Sequence, residues 1–174
     1  LKDLKRIFDN RIAQDSQFQY NGEKEGEKWK KKVRGYLVSQ CSDIAPILDF
    51  AEDLGDEPLT KERLQAESSS YRWMTELNVV KLGDKLWGWL NTAFLDNAHE
   101  YFESAGELNG FNGWRIIVES IHKGAKTRKG NLRRLVKKMP NIATVEDIDS
   151  GILRFEAVMS DYERAGGVVP GAKI

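Results

Sequence analysis

Residues 107–121 read ELNGFNGWRIIVESI. Asn109, Gly110, Asn112 and Gly113 bracket Phe111, and Trp114 then opens an apolar run in which Ile117, Val118 and Ile121 recur at helical spacing. So jointed and aromatic an approach, well past the middle of the chain, reads as a hinge between two helical lobes. Before it, Leu82, Leu86, Leu90, Phe94, Ala98, Tyr101 and Phe102 recur every three or four residues, which predicts one long helix over 82–105. Trp87, Trp89 and Leu95 widen its apolar surface, as expected of a central helix touched by several others. After it comes KGAKTRKG (123–130), flanked by glycine and free of acids, which reads as a linker. The predicted organisation is an N-terminal helical lobe over 1–122, a linker over 123–130 and a smaller helical lobe over 131–174.

The same periodicity runs through the rest of the chain, with little of the period-two alternation that strands require. Leu1, Leu4, Ile7, Phe8 and Ile12 share one face of an opening helix. In FQYNGEKEG the Asn21-Gly22 pair favours a tight turn, so a short hairpin or an extended strap near 18–24 is the one place for β structure. Trp29, Val33, Tyr36 and Leu37 mark the next helix, with Lys28, Lys30, Lys31, Lys32 and Arg34 on its outer face. Ser42 or Asp43 is expected to cap a short helix that tolerates Pro46 in its first turn and closes at Gly55. Thr60 is expected to cap another, running through Leu64, Tyr71, Met74 and Leu77. Leu132, Leu135, Val136 and Met139 predict a helix that stops before Pro140. Thr144 then caps a last helix carrying Ile148, Ile152, Phe155, Met159 and Tyr162 on one stripe, with Leu153 and Ala157 pointing elsewhere. The fold class is therefore all-α and two-lobed.

Composition narrows the function classes. Forty per cent of the 174 residues are hydrophobic and 31% charged, too apolar for disorder and too evenly charged for a membrane span. The predicted location is cytoplasmic. The chain begins at Leu1 and not at Met, which reads as a segment excised or processed from a longer product. Cys41 is the single cysteine and His99 and His122 the two histidines, too few to assemble a structural zinc site, so neither metal nor cofactor is expected. Catalysis has only Cys41, or His99 beside Glu100 and Glu103, to draw on, with no motif around either and no phosphate-cradling glycine loop. The expectation is no enzyme. Charge is balanced overall at 27 basic and 27 acidic residues, so any electrostatic function must be local. Lys123, Lys126, Arg128, Lys129, Arg133, Arg134, Lys137 and Lys138 form such a field, with no acid among them. These residues are candidate contacts to RNA phosphates or to another subunit, against the simpler reading of a solvated face or a partner for the acidic last helix. Leu153 and Ala157 are candidate assembly contacts.

The order of these features resembles the capsid region of Gag polyproteins of LTR retrotransposons, in the copia-type style. YNGEKEGEKWKKKVRGYL is similar to that family's opening strap and Trp helix, NGFNGWRIIVESI to its Gly-aromatic-x-x-Trp junction, and RKGNLRRLVKKMPNIATVEDIDSGILRFEAVMSDYERAGG to its carboxy-terminal helices. The resemblance implies a self-associating capsid protein that forms virus-like particles around the element's RNA, with itself as principal partner. It implies that Trp29, Tyr36, Leu37 and Trp114 are structural core beside Leu86, Leu90 and Phe94. It also implies that Leu132, Leu135, Ile152, Phe155 and Tyr162 form the core of the second lobe. The chain departs from the family in lacking a CCHC zinc knuckle and the Gln-Gly opening of the major homology region, so an active element and a domesticated capsid with another cargo both fit. A helical nucleic-acid-binding module using 123–138 and a helical protein-interaction adaptor are the alternatives.

Overall fold

A computed structural model describes residues 4–69, 78–137 and 148–166. Among them the chain is all-α: α1 (Asn10–Ala13), α2 (Gly26–Gln40), α3 (Ala45–Asp53), α4 (Lys61–Ser69), α5 (Val79–Ala93), α6 (Asp96–Glu103), α7 (Gly110–Lys137) and α8 (Ile148–Arg164). Tyr71, Trp73, Met74, Leu77, Lys138, Met139, Pro140 and Thr144 lie outside the described residues. The chain divides into two compact units, Leu1–Ile121 and His122–Ile174.

In the first unit, helix boundaries follow local chemistry where a capping side chain is present. Thr60 Oγ1 accepts from Arg63 N at 3.1 Å and Asn78 Oδ1 from Lys81 N at 3.0 Å, each satisfying an amide that has no partner inside its helix. Asp9 does the same for α1, accepting from Arg11 N at 2.9 Å. That cap also breaks the opening segment, where a 3-10 turn at Leu4–Arg6 and the short α1 replace the expected single helix. Neither Ser42 nor Asp43 caps α3; both belong to a 3-10 turn, Ser42–Ile44, that leads directly into it.

The expected helix over 82–105 is two helices. Phe94 and Leu95 are extended and Asp96 has a φ of +48°, so the chain turns between α5 and α6. The cause is a distant segment: Tyr20 N donates to Ala93 O at 3.0 Å and Tyr20 O accepts from Leu95 N at 2.9 Å. Asn21 O also accepts from Ala98 N, a first-turn amide of α6. Residues 18–24 therefore form an extended strap, with Tyr20 bridged to Phe94, and not a hairpin. Gly22, with a φ of +92°, carries the strap past α6, where a Cβ would sit 2.9 Å from Ala98 N.

Aromatic side chains fill the core of this unit. Trp29 lies against Tyr20, Phe94 and Trp114 with ring centroids 5.2, 5.3 and 5.9 Å apart, and Phe94 continues to Phe102 at 5.1 Å. Leu37, Leu86 and Leu90 are fully buried beside them, whereas Tyr36 is only half-buried. The buried indoles keep their polar edges satisfied: Trp29 Nε1 donates to Phe18 O at 2.8 Å and Trp89 Nε1 to Asp9 O at 3.0 Å.

The glycines of GFNG do not form a hinge. Gly110 and Gly113 are the first and fourth residues of α7 and both are pressed against neighbours. A Cβ on Gly110 would lie 2.5 Å from Gly83 O of α5, and one on Gly113 2.7 Å from Cδ2 of Phe102. Their lack of a side chain lets helices approach closely. Nor is 123–130 a non-helical linker, because α7 runs through it without interruption. Lys123, Ala125, Lys126, Arg128 and Lys129 are good helix formers, and Gly124 and Gly130 each cost only about 1 kcal/mol against Ala.

The second unit is built differently. Among its residues with described burial none is buried: Leu132 and Tyr162 are half-exposed, while Leu135, Ile152 and Phe155 are 55%, 45% and 46% exposed. The expected second-lobe core is thus not closed. A pair of helices has only one mutual seam, and without a further layer the remaining apolar positions stay in water.

Candidate functional site

Two surfaces of the second unit hold the residues singled out in the sequence. On α7, steps of about 100° place Lys123, Lys126, Lys129, Arg133, Arg134 and Lys137 within about half the helix circumference, with Arg128 across from them. Lys126, Arg128, Arg133 and Arg134 are exposed and Lys129 is half-exposed. Lys129 Nζ donates to Gly166 O at 2.8 Å and Arg134 to Asn131 Oδ1 at 2.8 Å. Among the described residues, Lys126, Arg128 and Arg133 have neither a hydrogen-bond nor an ion-pair partner, and no ion pair joins these five cations to α8. Lys138 lies outside the described residues, as does the side chain of Lys137.

On α8, Leu153 is 67% exposed, and Ala157, one turn on, is exposed beside it. Ile152 and Phe155 lie on the other side of the helix, also uncovered, and Leu135 is the exposed apolar residue of the same unit on α7. The acids Glu156, Asp161 and Glu163 alternate with these positions, and Asp161 pairs with Arg164 at 3.6 Å. The two helices are chemically distinct, one with a cationic face and the other with exposed apolar residues on both sides and acids between them.

The candidates for catalysis lie on separate elements, Cys41 at the end of α2 and His99, Glu100 and Glu103 on α6. Cys41 is buried at the end of α2, where its amide donates to Leu37 O at 3.0 Å. His99 meets Asn91 Oδ1 through Nε2 at 3.0 Å and Glu103 through Nδ1 at 3.6 Å on the surface of α6. No group of three or more His, Cys, Asp and Glu residues is placed to hold a metal ion, and no helix is long and apolar enough to cross a membrane, among the described residues. A recess of about 420 Å³ between the strap and α2 is lined by Lys24, Lys28 and Lys32. Its cations are partly engaged, Lys28 with Glu25 at 3.5 Å and Lys32 with Gln17 and over the Phe18 ring at 5.1 Å.

Two polar clusters in the first unit escaped the sequence reading. Lys30 and Arg34 belong to the first, not to a solvated outer face: both reach Glu52 of α3, at 2.7 and 3.5 Å, and Arg34 also pairs with Asp49 at 2.7 Å. Trp114 Nε1 donates to the same Glu52 at 2.9 Å, so one carboxylate ties α2, α3 and α7. The second cluster starts from NGFNGWR. Asn112 Oδ1 accepts from Leu59 N at 3.1 Å and Arg115 Nε at 2.8 Å, and Asn112 Nδ2 donates to Ala105 O at 3.0 Å. Arg115 Nη1 donates to Gly55 O at 2.5 Å. Burial pulls the Arg115 guanidinium below its ordinary pKa, while Asp56 and Glu119 act against that shift. The usable signal was Asn109, Asn112 and Arg115 three residues apart, a spacing that puts all three on one side of a helix. This network pins the loop between α3 and α4.

No protein-family model, curated protein or solved structure matches this chain.

Proposed function

We propose that this chain is a structural protein of the Gag-like capsid kind, working through association with copies of itself. The observation that carries this reading is the contrast between the two units. The first closes an aromatic core and exposes Leu95, Tyr101 and Leu108 around it, while the second, with no buried side chain among those described, leaves Leu135, Ile152, Leu153 and Phe155 open to water. Apolar residues in such number within about fifty residues are what a recurrent protein–protein contact uses, and burying each removes about 25 cal/mol for every Å² taken from water. Particles in the cytoplasm, and no catalytic role, go with this reading.

Sedimentation velocity and negative-stain electron microscopy test it. Concentrated protein at high salt, where the cations of α7 are screened, is expected to form oligomers or particles. Leu153→Asp with Phe155→Asp is expected to leave a helical monomer. A chain that stays monomeric under every such condition, or one whose oligomers are indifferent to both substitutions, overturns the reading. A monomer that captures a different protein through the same residues supports the adaptor instead.

A further inference from the structure

We propose that the acid-free face of α7 from Lys123 to Lys137 is a binding site for the phosphate backbone of a double-stranded nucleic acid, engaged without reading its sequence. This goes beyond the assembly reading and stands independently of it. Residues 122–137 hold seven basic residues and no acid, so the remainder of a neutral chain carries seven net negative charges. The next most basic acid-free stretch, residues 28–42, holds five cations. Attraction to a polyanion is therefore greatest along this face, within a Debye length of about 8 Å at physiological salt.

Geometry narrows the ligand. Lys123 to Lys137 extends about 21 Å along a helix at about 1.5 Å per residue. A duplex presents one negative charge per about 1.7 Å of axis, far denser than any acidic helix. Lys126 and Arg133, unpaired among the described residues, have donors to offer phosphates, and Lys129 and Arg134 each have donors beyond the bond described.

Other occupants fit less well. No Phe, Tyr or Trp lies within 122–137, so there is no broad platform on which the bases of a single strand would stack. Anionic membranes favour helices with Trp, Phe or Leu massed opposite the basic side, whereas here that side holds only Ala125, Leu132, Leu135 and Val136, with no Phe, Tyr or Trp and with Arg128 set among them. The acids of α8 are the internal competitor, and Lys126, Arg128, Lys129, Arg133 and Arg134 pair with none of them among the described residues. Asn131, the one side-chain amide on this stretch, has its oxygen taken by Arg134, so a bidentate amide contact to adenine is not on offer.

The test is fluorescence anisotropy with a labelled 20-base-pair duplex, between 50 and 200 mM salt, at a protein concentration shown by sedimentation to be monomeric. Wild-type protein is expected to bind, with log K falling against log salt at a slope of about −4, as for four or five neutralised phosphates. Lys126→Glu with Arg133→Glu is expected to weaken binding at least tenfold and flatten the slope by about 2. Lys28→Glu with Lys31→Glu on α2 is expected to change it less than twofold. If circular dichroism shows that the charge reversals unfold α7, the Lys126→Gln, Arg133→Gln pair carries the same expected flattening. The proposal is overturned by absent binding at 50 mM salt, by equal loss from the α2 pair, or by tighter binding of a single strand of equal length. Particle formation is scored separately on the same variants, so failure of this site and failure of self-association are read apart.

Discussion

Glu52 shows how much one side chain can organise. It is 15% exposed, accepts from the Trp114 indole and faces Lys30 and Arg34, so α2, α3 and α7 meet on a single carboxylate. Removing it leaves a largely buried Lys30 ammonium and an indole N–H without that acceptor. Glu52→Ala is expected to destabilise the protein by about 3 kcal/mol in urea denaturation, toward the lower end of what breaking a buried ion pair costs. A change under about 0.5 kcal/mol would mean that water takes over these partners. Nothing local marks Glu52: Asp49, Asp53 and Glu52 look alike in sequence, and only the arrival of Trp114 from 62 positions away singles it out.

At the scale of elements, glycine offers the sharpest contrast. Gly113 and Gly124 both lie in α7, yet a Cβ on Gly113 would enter the Phe102 ring while one on Gly124 meets nothing within 4 Å. Gly113→Ala is expected to cost about 1–3 kcal/mol through overpacking, and Gly124→Ala to stabilise by about 0.5–1 kcal/mol through helix propensity, both read from thermal and urea unfolding. Two changes of the same sign would show that propensity or packing alone governs this helix. The sequence could not tell these glycines apart, because their difference lies in which helix passes by. What it did carry was apolar periodicity, which located α2, α5 and α7 through Trp29, Leu86, Leu90 and Trp114. It failed where a remote segment intervened: the α5–α6 break is made by Tyr20, and no residue at 94–95 is itself a helix breaker. The basic face of α7 was legible as composition but not as geometry, since reading 123–130 as a linker hid the register that gathers its cations on one side.

For the whole molecule, the two units differ in what holds them. Fixing a residue's backbone costs about 1–2 kcal/mol, which the first unit offsets with a filled core and the second, with no buried side chain among those described, does not. A peptide of residues 122–174 is expected to be mostly unfolded when dilute and to gain helicity as its concentration rises, measured by circular dichroism at 222 nm. Concentration-independent helicity would mean that this unit is stable alone and that its apolar residues are not needed for association.

The strap has a consequence for how the chain is made. Trp89 bonds to Asp9 across 80 positions, and the Tyr20 backbone bonds to Ala93 and Leu95. During synthesis Phe18 and Tyr20 therefore have only Tyr36 and Trp29 of α2 to lie against, and part of each ring stays uncovered until the α5–α6 corner leaves the exit tunnel. A nascent chain paused before residue 95 should hold these aromatics open to chaperones, and one paused well past it should not.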